Sequence, residues 1–338
     1  MFVKQRVGGI TRYFSELHAG LKEGGVDARI FAGLHSNEYI GGNAAKHLQR
    51  IPSYPRLALS HAAFTAYAIT QRDHPVIHPT YYTAKPVPGK FPHVCTFYDL
   101  IHLRFAPKDG IIDRQRFWAR RSDKIIAISH ATAEDLADLL HVPRHKIIVV
   151  HLGTHIPHQQ PRRNPDDYLL YVGARDGYKN WRIVIDALRA PELAGLRLIC
   201  CGGNHPTGQE TKLLEDRGLQ NRVDFLQADE ETLDRLYRRA VALVYPSLYE
   251  GFGLPPLEAM ARGVPVVASN ASSIPEVVGD AALLFDPKDS EALVHAVSSL
   301  FDTATREVFE KRGPARARMF PWSRTVRQTI DVYQDLLS

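Results

Sequence analysis

At 338 residues the chain is too long for one ordinary hydrophobic core and suits two domains, each of roughly 150 residues. Its 44% apolar and 23% charged composition excludes a disordered chain, and the lack of any run of about 18 apolar residues excludes a membrane-spanning one. Residues 1–160 hold 20 Lys+Arg against 12 Asp+Glu and 14 of the 16 histidines, whereas the remainder holds 22 against 25.

Two halves of opposite charge imply two domains with different partners. A basic half can face nucleic acid, anionic lipid head groups or a phosphorylated substrate. Nucleic acid is set aside, because zinc-finger, RRM and KH signatures are missing and the positive charge is dispersed. Cys95, Cys200 and Cys201 support neither a disulfide framework nor CxxC metal spacing. No basic segment followed by an apolar stretch opens the chain, so the expected compartment is the cytoplasm.

In chain order, "GGITRYFSELHAGLKEGG" predicts a helix with glycine at both ends. "PVIHPT", "HVCTFYDL", "KIIAIS" and "KIIVVHLG" predict buried strands, with "HATAEDLADLLHV" a helix among them. The stretch 153–167, "GTHIPHQQPRRNPDD", is polar, proline-rich and aperiodic, and predicts a linker. Beyond it "YLLYVG", "LRLICCGG", "VDFLQ", "AVALVYPS", "VPVVAS" and "ALLFDP" predict strands. Helices fit between or after them: "NWRIVIDALRA", "QETKLLEDRG", "EETLDRLYRRA", "PLEAMARG" and "SEALVHAVSSLFD". Repeated β-then-α order predicts an α/β fold of parallel sheets with helices on both faces. The expected domains are 1–155, joined by a returning helix at 321–338, and 165–320.

Ligands of such sheets sit at the carboxyl ends of strands, where loops lead into helix N-termini. "VALVYPS" is a strand, "LYEGFGL" its loop and "PPLEAMARG" the helix that follows. Glycines let a ligand approach the backbone, proline suits the first helical turn, and the helix start attracts phosphate oxygens. Glu250 and Glu258 flank this phosphate site, and ionised carboxylates accept strongly from vicinal hydroxyls. Phosphates in the middle with a hydroxylated ring at each end describe a nucleotide sugar. The blander reading is that Glu258 favours its helix dipole and Glu250 is a solvated loop acid.

"EGFGLPPLE", continued by "EAMARGVPVVASNASSIPEVVGDAALLFDP", resembles the donor half of the retaining glycosyltransferases of family 4, whose signature is two glutamates with seven residues between them. "YVGARDGYKNW", "VGGITRYFSEL", "HPTYYTAKP", "CTFYDLIHLRF" and "ISHATAEDL" extend the resemblance over nearly the whole chain, with mannosyltransferase-like members the nearest in character. The resemblance implies a GT-B fold, two doubly wound domains facing a cleft. It also implies that Glu250 lies near the donor sugar's hydroxyls and Glu258 on the nucleotide ribose. Gly251, Phe252, Gly253 and Leu254 would surround the distal phosphate or sugar, with the N–H groups of the last three as donors. Lys179 would neutralise the diphosphate, Arg175 would be a second cation, and Gly8 and Gly9 would approach the diphosphate from the other domain. Arg175 has the alternative reading of a surface loop arginine. Asp99 and Tyr98 would face the donor sugar, although relatives carry histidine where Tyr98 stands and Asp99 also reads as a loop cap. His130, Tyr81 and Tyr82 would border the acceptor, or serve as a helix-start residue and packing. Trp322 reads as a packing anchor.

By the same resemblance the expected reaction is retaining hexosyl transfer from a nucleoside-diphosphate sugar, GDP-mannose favoured, by front-face attack. The expected acceptor is a glycan or a polyprenyl-diphosphate-linked glycan. Neither a metal nor another cofactor is expected, since the sequence has no Asp-x-Asp motif. The basic "DRQRFWARRSDK" predicts peripheral contact with the inner membrane face or, alternatively, a solvated helix with its aromatics in the core. Relatives place a full strand before the first glycine loop, and here "MFVKQRV" alone precedes Gly8. That raises the expectation of a late start or an impaired first domain. The rival readings are a catalytically silent nucleotide-sugar-binding protein and a GT-B epimerase or phosphorylase.

Overall fold

A computed structural model of the chain describes residues 8–31, 37, 39, 53–71, 75–82, 86–106, 110–157, 165–175 and 177–338. The expected absence of a strand before Gly8 lies outside the described residues, as do most of the linker's central residues. Two compact units emerge, Met1–Gly153 with Trp322–Ser338, and Thr154–Pro321.

In the first unit, α1 (Gly9–Glu23) buries Tyr13, Phe14, Leu17 and Leu21, a helical stripe at the expected spacing. After α2 (Ser53–Ile69) come β1 (Val94–Phe97), α3 (Ile101–Phe105), α4 (Ile111–Arg121), β2 (Lys124–Ala127), α5 (His130–Leu140) and β3 (Ile147–Val149). The three strands form a parallel sheet in that order. "PVIHPT" is not a strand: Ile77 makes a single bridge to His93. Pro75 and Pro79 on either side have no N–H to extend a ladder. In α4 the aromatics divide, Trp118 fully buried and Phe117 43% exposed, so the all-core alternative holds for Trp118 alone.

The second unit carries, among the described residues, a six-stranded parallel sheet in the order β6-β5-β4-β7-β8-β9. Its strands are β4 (Tyr168–Val172), β5 (Arg197–Cys201), β6 (Val223–Leu226), β7 (Ala242–Tyr245), β8 (Val266–Ser269) and β9 (Leu283–Phe285). Between them stand α6 (Arg182–Ala187), α7 (Gly208–Asp216), α8 (Glu230–Arg239), α9 (Leu254–Ala261) and α10 (Ile274–Val278), followed by α11 (Ser290–Ser299) and α12 (Thr303–Ala317). The chain runs outward from β4 through β5 to β6, then returns and runs the other way from β7 to β9. This reversal makes the β4 and β7 loops diverge, and the gap between them is where such sheets bind ligands.

The last helix, α13 (Trp322–Leu337), belongs to the first unit. It packs on α1, where a Cβ at Gly20 would come within 2.5 Å of Val326, so only glycine permits this approach. Trp322 lies against Gly153, as the anchor reading expected. Thr325 donates to the His151 carbonyl at 2.8 Å.

A half-buried polar chain runs inward from α13: His78 Nδ1 meets Tyr333 OH at 2.6 Å, and its Nε2 meets Thr96 Oγ1 at 2.8 Å. A neutral imidazole offers one donor and one acceptor, which two hydroxyls satisfy. Burial pushes the His78 pKa down to about 3 from the ordinary 6.5. The native state therefore refuses a proton that the unfolded chain accepts below about pH 6.5, and stability falls as pH drops from there toward about 3. Between pH 7 and pH 5 the loss from this group should be about 2 kcal/mol. Urea unfolding at both pH values should show His78→Gln losing that share of the pH dependence; an unchanged slope would refute the assignment.

Candidate active site

The β7 strand ends at Tyr245, and its loop reaches Gly253, the N-cap of α9, at φ 120. That left-handed backbone, with Ile274 3.1 Å from where a Cβ would sit, requires glycine here. Leu254 opens the helix, and Pro255 and Pro256 follow in its first turn. Helix starts leave their first N–H groups without intrahelical acceptors. The two prolines delete two of these donors, which concentrates the anion-attracting end at Gly253 and Leu254. Phe252 turns its ring into the core, 5.9 Å from Phe320, and presents only its backbone to the loop.

The loop is held from below. Ser272, itself at φ 55, donates to the Glu250 carbonyl at 2.5 Å and accepts from the Glu250 N–H at 3.3 Å. Ser273 donates to the carbonyls of Glu250 and Phe252 at 2.9 and 2.8 Å. The β4 loop joins it through Leu248 N–H to the Tyr178 carbonyl at 2.7 Å. Asn180 ties in as well, donating to the carbonyls of Pro246 and Pro287 at 3.1 and 2.7 Å.

Across this seam, Lys179 Nζ lies 2.6 Å from Glu250 Oε1, both side chains largely buried. Tyr245 stands beneath them, its hydroxyl 3.4 Å from Lys179 Nζ. Burial, then the charge and hydrogen bond of Glu250, hold the Tyr245 phenol well above its usual range, so it stays protonated. Ammonium has three donors. Among the described residues two point at Glu250 and Tyr245, which leaves one for an anion entering the seam. Tyr245, Ser272 and Ser273 lie within the quoted stretches, which assign them no role; their roles follow from contacts made in three dimensions.

Arg175 does not join this group. Its Nε meets Glu210 Oε1 at 2.7 Å, Nη1 the Gly202 carbonyl at 3.1 Å and Nη2 the Asn204 carbonyl at 2.6 Å. The guanidinium carbon also lies 4.6 Å from the Phe225 ring centre. Glu210 serves its own helix as well, since its Oε2 accepts from Thr207 N–H at 2.7 Å and completes the capping box of α7. Arg175, expected as a second cation, thus latches the β4 loop to the β5 loop with three of its five N–H donors on protein acceptors.

Glu258 is half-buried on α9 and accepts from Tyr237 OH at 3.2 Å. In the first unit, Gly8 caps α1 and accepts from Arg12 N–H at 3.0 Å, while a Cβ on Gly9 would meet nothing within 4 Å. Asp99 accepts from Ile101 N–H at 3.0 Å, a local bond in the loop that leads into α3, whose N-cap is Leu100. The Tyr98 hydroxyl is buried without a hydrogen-bond partner among the described residues. Tyr82 is 3% exposed: its hydroxyl accepts from Tyr98 N–H and its carbonyl from Trp118 Nε1, which makes it packing, not an acceptor platform. Tyr81, its ring centre 4.8 Å from that of Tyr82, is partly exposed. His130 opens α5, exposed, its ring 5.8 Å from His151.

Comparison with known proteins gives this geometry a context. The family described as "Glycosyl transferases group 1" matches residues 154–316, and "Glycosyltransferase Family 4" matches residues 7–156. The chain is 34% identical over 265 residues to O-antigen chain mannosyltransferase B of Escherichia coli, covering 71% of this chain and 70% of that one. It is 31% identical over 242 residues to MMP alpha-(1->4)-mannosyltransferase of Mycolicibacterium hassiacum, covering 68% and 58%. Its fold is similar to that of sucrose-phosphate synthase from Thermosynechococcus elongatus, with a TM-score of 0.75 at 22% identity over 99% of this chain and 96% of that one. The chain belongs to the group 1, family 4 glycosyltransferases, with the GT-B fold, and is a glycosyltransferase.

Removing one partner of a buried ion pair costs about 3–5 kcal/mol. Arg175→Met should therefore lower the urea-unfolding free energy by about that amount, with turnover well below the melting point staying within about threefold. A diphosphate contact would instead show as a turnover loss of about a hundredfold or more with stability preserved.

Proposed function

We propose that this family 4 glycosyltransferase moves a mannosyl residue from GDP-mannose to a glycan or polyprenyl-diphosphate-linked glycan, retaining anomeric configuration and needing no metal ion. The observation that carries the reading is the Lys179–Glu250–Tyr245 cluster between the β4 and β7 loops, where the sheet reverses direction. The mannosyltransferase relatives support the choice of sugar.

Breaking a glycosyl–phosphate bond builds positive charge on the anomeric carbon and negative charge on the departing diphosphate. Stabilising that leaving group is the largest service a site can offer. Lys179 supplies a compact cation, and the Gly253–Leu254 end of α9 supplies N–H dipoles beside it. Glu250 accepts from the donor sugar's hydroxyls, and Glu258 from the ribose diol. Glu250 is a poor candidate for a covalent nucleophile, since Lys179 and Tyr245 both engage its carboxylate. Front-face attack fits better: the acceptor hydroxyl enters as the diphosphate leaves and passes its proton to a phosphate oxygen.

Peripheral contact with an anionic membrane belongs to the same reading. No helix of the described residues is long and apolar enough to cross a bilayer. On α4, Arg114, Arg116 and Arg120 are exposed around Phe117, a basic face with an apolar centre that suits anionic head groups.

Purified protein offered a panel of nucleotide sugars with a chelator present should turn over GDP-mannose at an undiminished rate. Turnover of none would favour a binding protein, and loss of turnover on chelation would overturn metal independence. Lys179→Met should lower kcat by about 10²–10³. In a separate test, the chain should sediment with phosphatidylglycerol vesicles and not with phosphatidylcholine. Replacing Arg114, Arg116 and Arg120 with glutamine should weaken that binding by about 3 kcal/mol, at about 1 kcal/mol per charge; equal sedimentation of both proteins would exclude this face.

A further inference from the structure

Glu258 sits in the second turn of α9, and α8 is built around its carboxylate. Tyr237, 0% exposed, directs its hydroxyl to Glu258 Oε2 at 3.2 Å. The phenol is the donor: burial first, and then the Glu258 charge, hold its ionisation well above the ordinary range. Phenylalanine would fill the same volume. The hydroxyl is accounted for by the carboxylate it meets, because a buried hydroxyl without a partner is costly.

The Tyr237 ring is clamped in turn. Arg262, one turn beyond Glu258, holds its guanidinium carbon 5.1 Å from the ring centre, within cation–π range. Arg262 Nη1 donates to the Glu258 carbonyl at 2.9 Å and Nε to Asp234 Oδ1 at 2.7 Å. Asp234 also accepts from Arg238 Nε at 2.6 Å. Burial would raise the Asp234 pKa, but the hydrogen bonds from Arg238 and Arg262 outweigh it and lower it, so the clamp stays charged. Three residues of α8, Asp234, Tyr237 and Arg238, thus join Arg262 and Glu258 in one network, with the Glu258 carboxylate at its end.

We propose that Tyr237 is a positioning residue: clamped by Arg262 and Asp234, its hydroxyl fixes the Glu258 carboxylate for acceptance from a ribose diol, and so sets a preference for ribonucleotides over 2′-deoxyribonucleotides. The inference rests on the ribose role given to Glu258 above. A carboxylate held in one orientation can meet both hydroxyls of a diol. One free to rotate gains less from the second hydroxyl, because it loses more freedom on meeting it.

Calorimetric titration of the full chain with GDP, 2′-deoxy-GDP, UDP and 2′-deoxy-UDP tests this. Wild type should bind the ribonucleotide of its preferred base about tenfold or more tightly than the deoxy form. Tyr237→Phe should reduce that ratio by about fivefold while the affinity for the deoxy form changes less than about twofold. General damage to the site would weaken both forms together. Arg262→Gln, which keeps the hydroxyl and removes the clamp, should reduce the ratio part-way, and it carries the test should Tyr237→Phe prove unstable to heat. A folded Tyr237→Phe or Arg262→Gln protein with the wild-type ratio overturns the proposal. Glu258→Gln separates the two levels: if it abolishes the ratio while Tyr237→Phe leaves it intact, only the positioning role fails. If Glu258→Gln leaves the ratio unchanged, or wild type shows no ratio or no binding, the ribose role of Glu258 fails and the proposal falls with it.

Discussion

The second unit is organised around one constraint, the reversal of its sheet between β4 and β7. Two neighbouring parallel strands whose loops leave in opposite directions open a gap at their carboxyl ends. The gap is bridged by the ion pair of Lys179 with Glu250. Those residues are 71 positions apart, and nothing between them in sequence makes them neighbours except the crossover through α6 to α8. Once they meet, charge is balanced inside a largely buried seam, where either group alone would be expensive. The ammonium is thereby held in a fixed orientation, so little reorganisation would remain for binding the diphosphate proposed above.

The two cations of the β4 loop show how much position matters. Lys179 and Arg175 lie four residues apart, yet one faces the seam and the other is consumed by Glu210 and two carbonyls of the β5 loop. Arginine's planar fork suits a site with three fixed acceptors, whereas a lysine's point charge suits an anion that comes and goes. The division of roles follows from that chemistry. The latch keeps the β5 loop against the β4 loop, and the lysine is left at the gap.

What can be read in the sequence is local. The glutamate pair with its glycines and prolines lies within nine consecutive residues, and the loop-to-helix turn they form needs only its own chain. The alternation of strands and helices in the second unit is legible for the same reason, since fully buried parallel strands are short apolar runs. Long-range partners are not legible. Arg175 resembles a phosphate ligand because no local pattern marks Glu210, 35 residues on, as its partner. Tyr237 reads as a core aromatic, and its hydroxyl acquires meaning only when α9 is laid beside α8. Tyr82 reads as either a sugar platform or packing, because the backbone N–H that it satisfies, at Tyr98, lies beyond any local pattern. In the first unit "PVIHPT" has the composition of a strand, but its prolines cannot supply the ladder. The helices α2 and α12 have no counterpart among the expected elements; α12 carries Pro314 in its interior, which in sequence reads as a stop.

The return of α13 to the first unit has a consequence for how the molecule is made. His78 and Tyr333, which share a hydrogen bond, are separated by 255 residues, and Gly20 waits on Val326 over an even longer span. During synthesis the opening half emerges without the helix that covers α1, while the second unit is contiguous and can complete its core as it leaves the ribosome. The part translated first is therefore finished last. Until α13 arrives, the nascent chain carries an uncovered apolar helix face and a histidine lacking one of its two hydroxyl partners, and the apolar face is the kind of surface that holding chaperones engage.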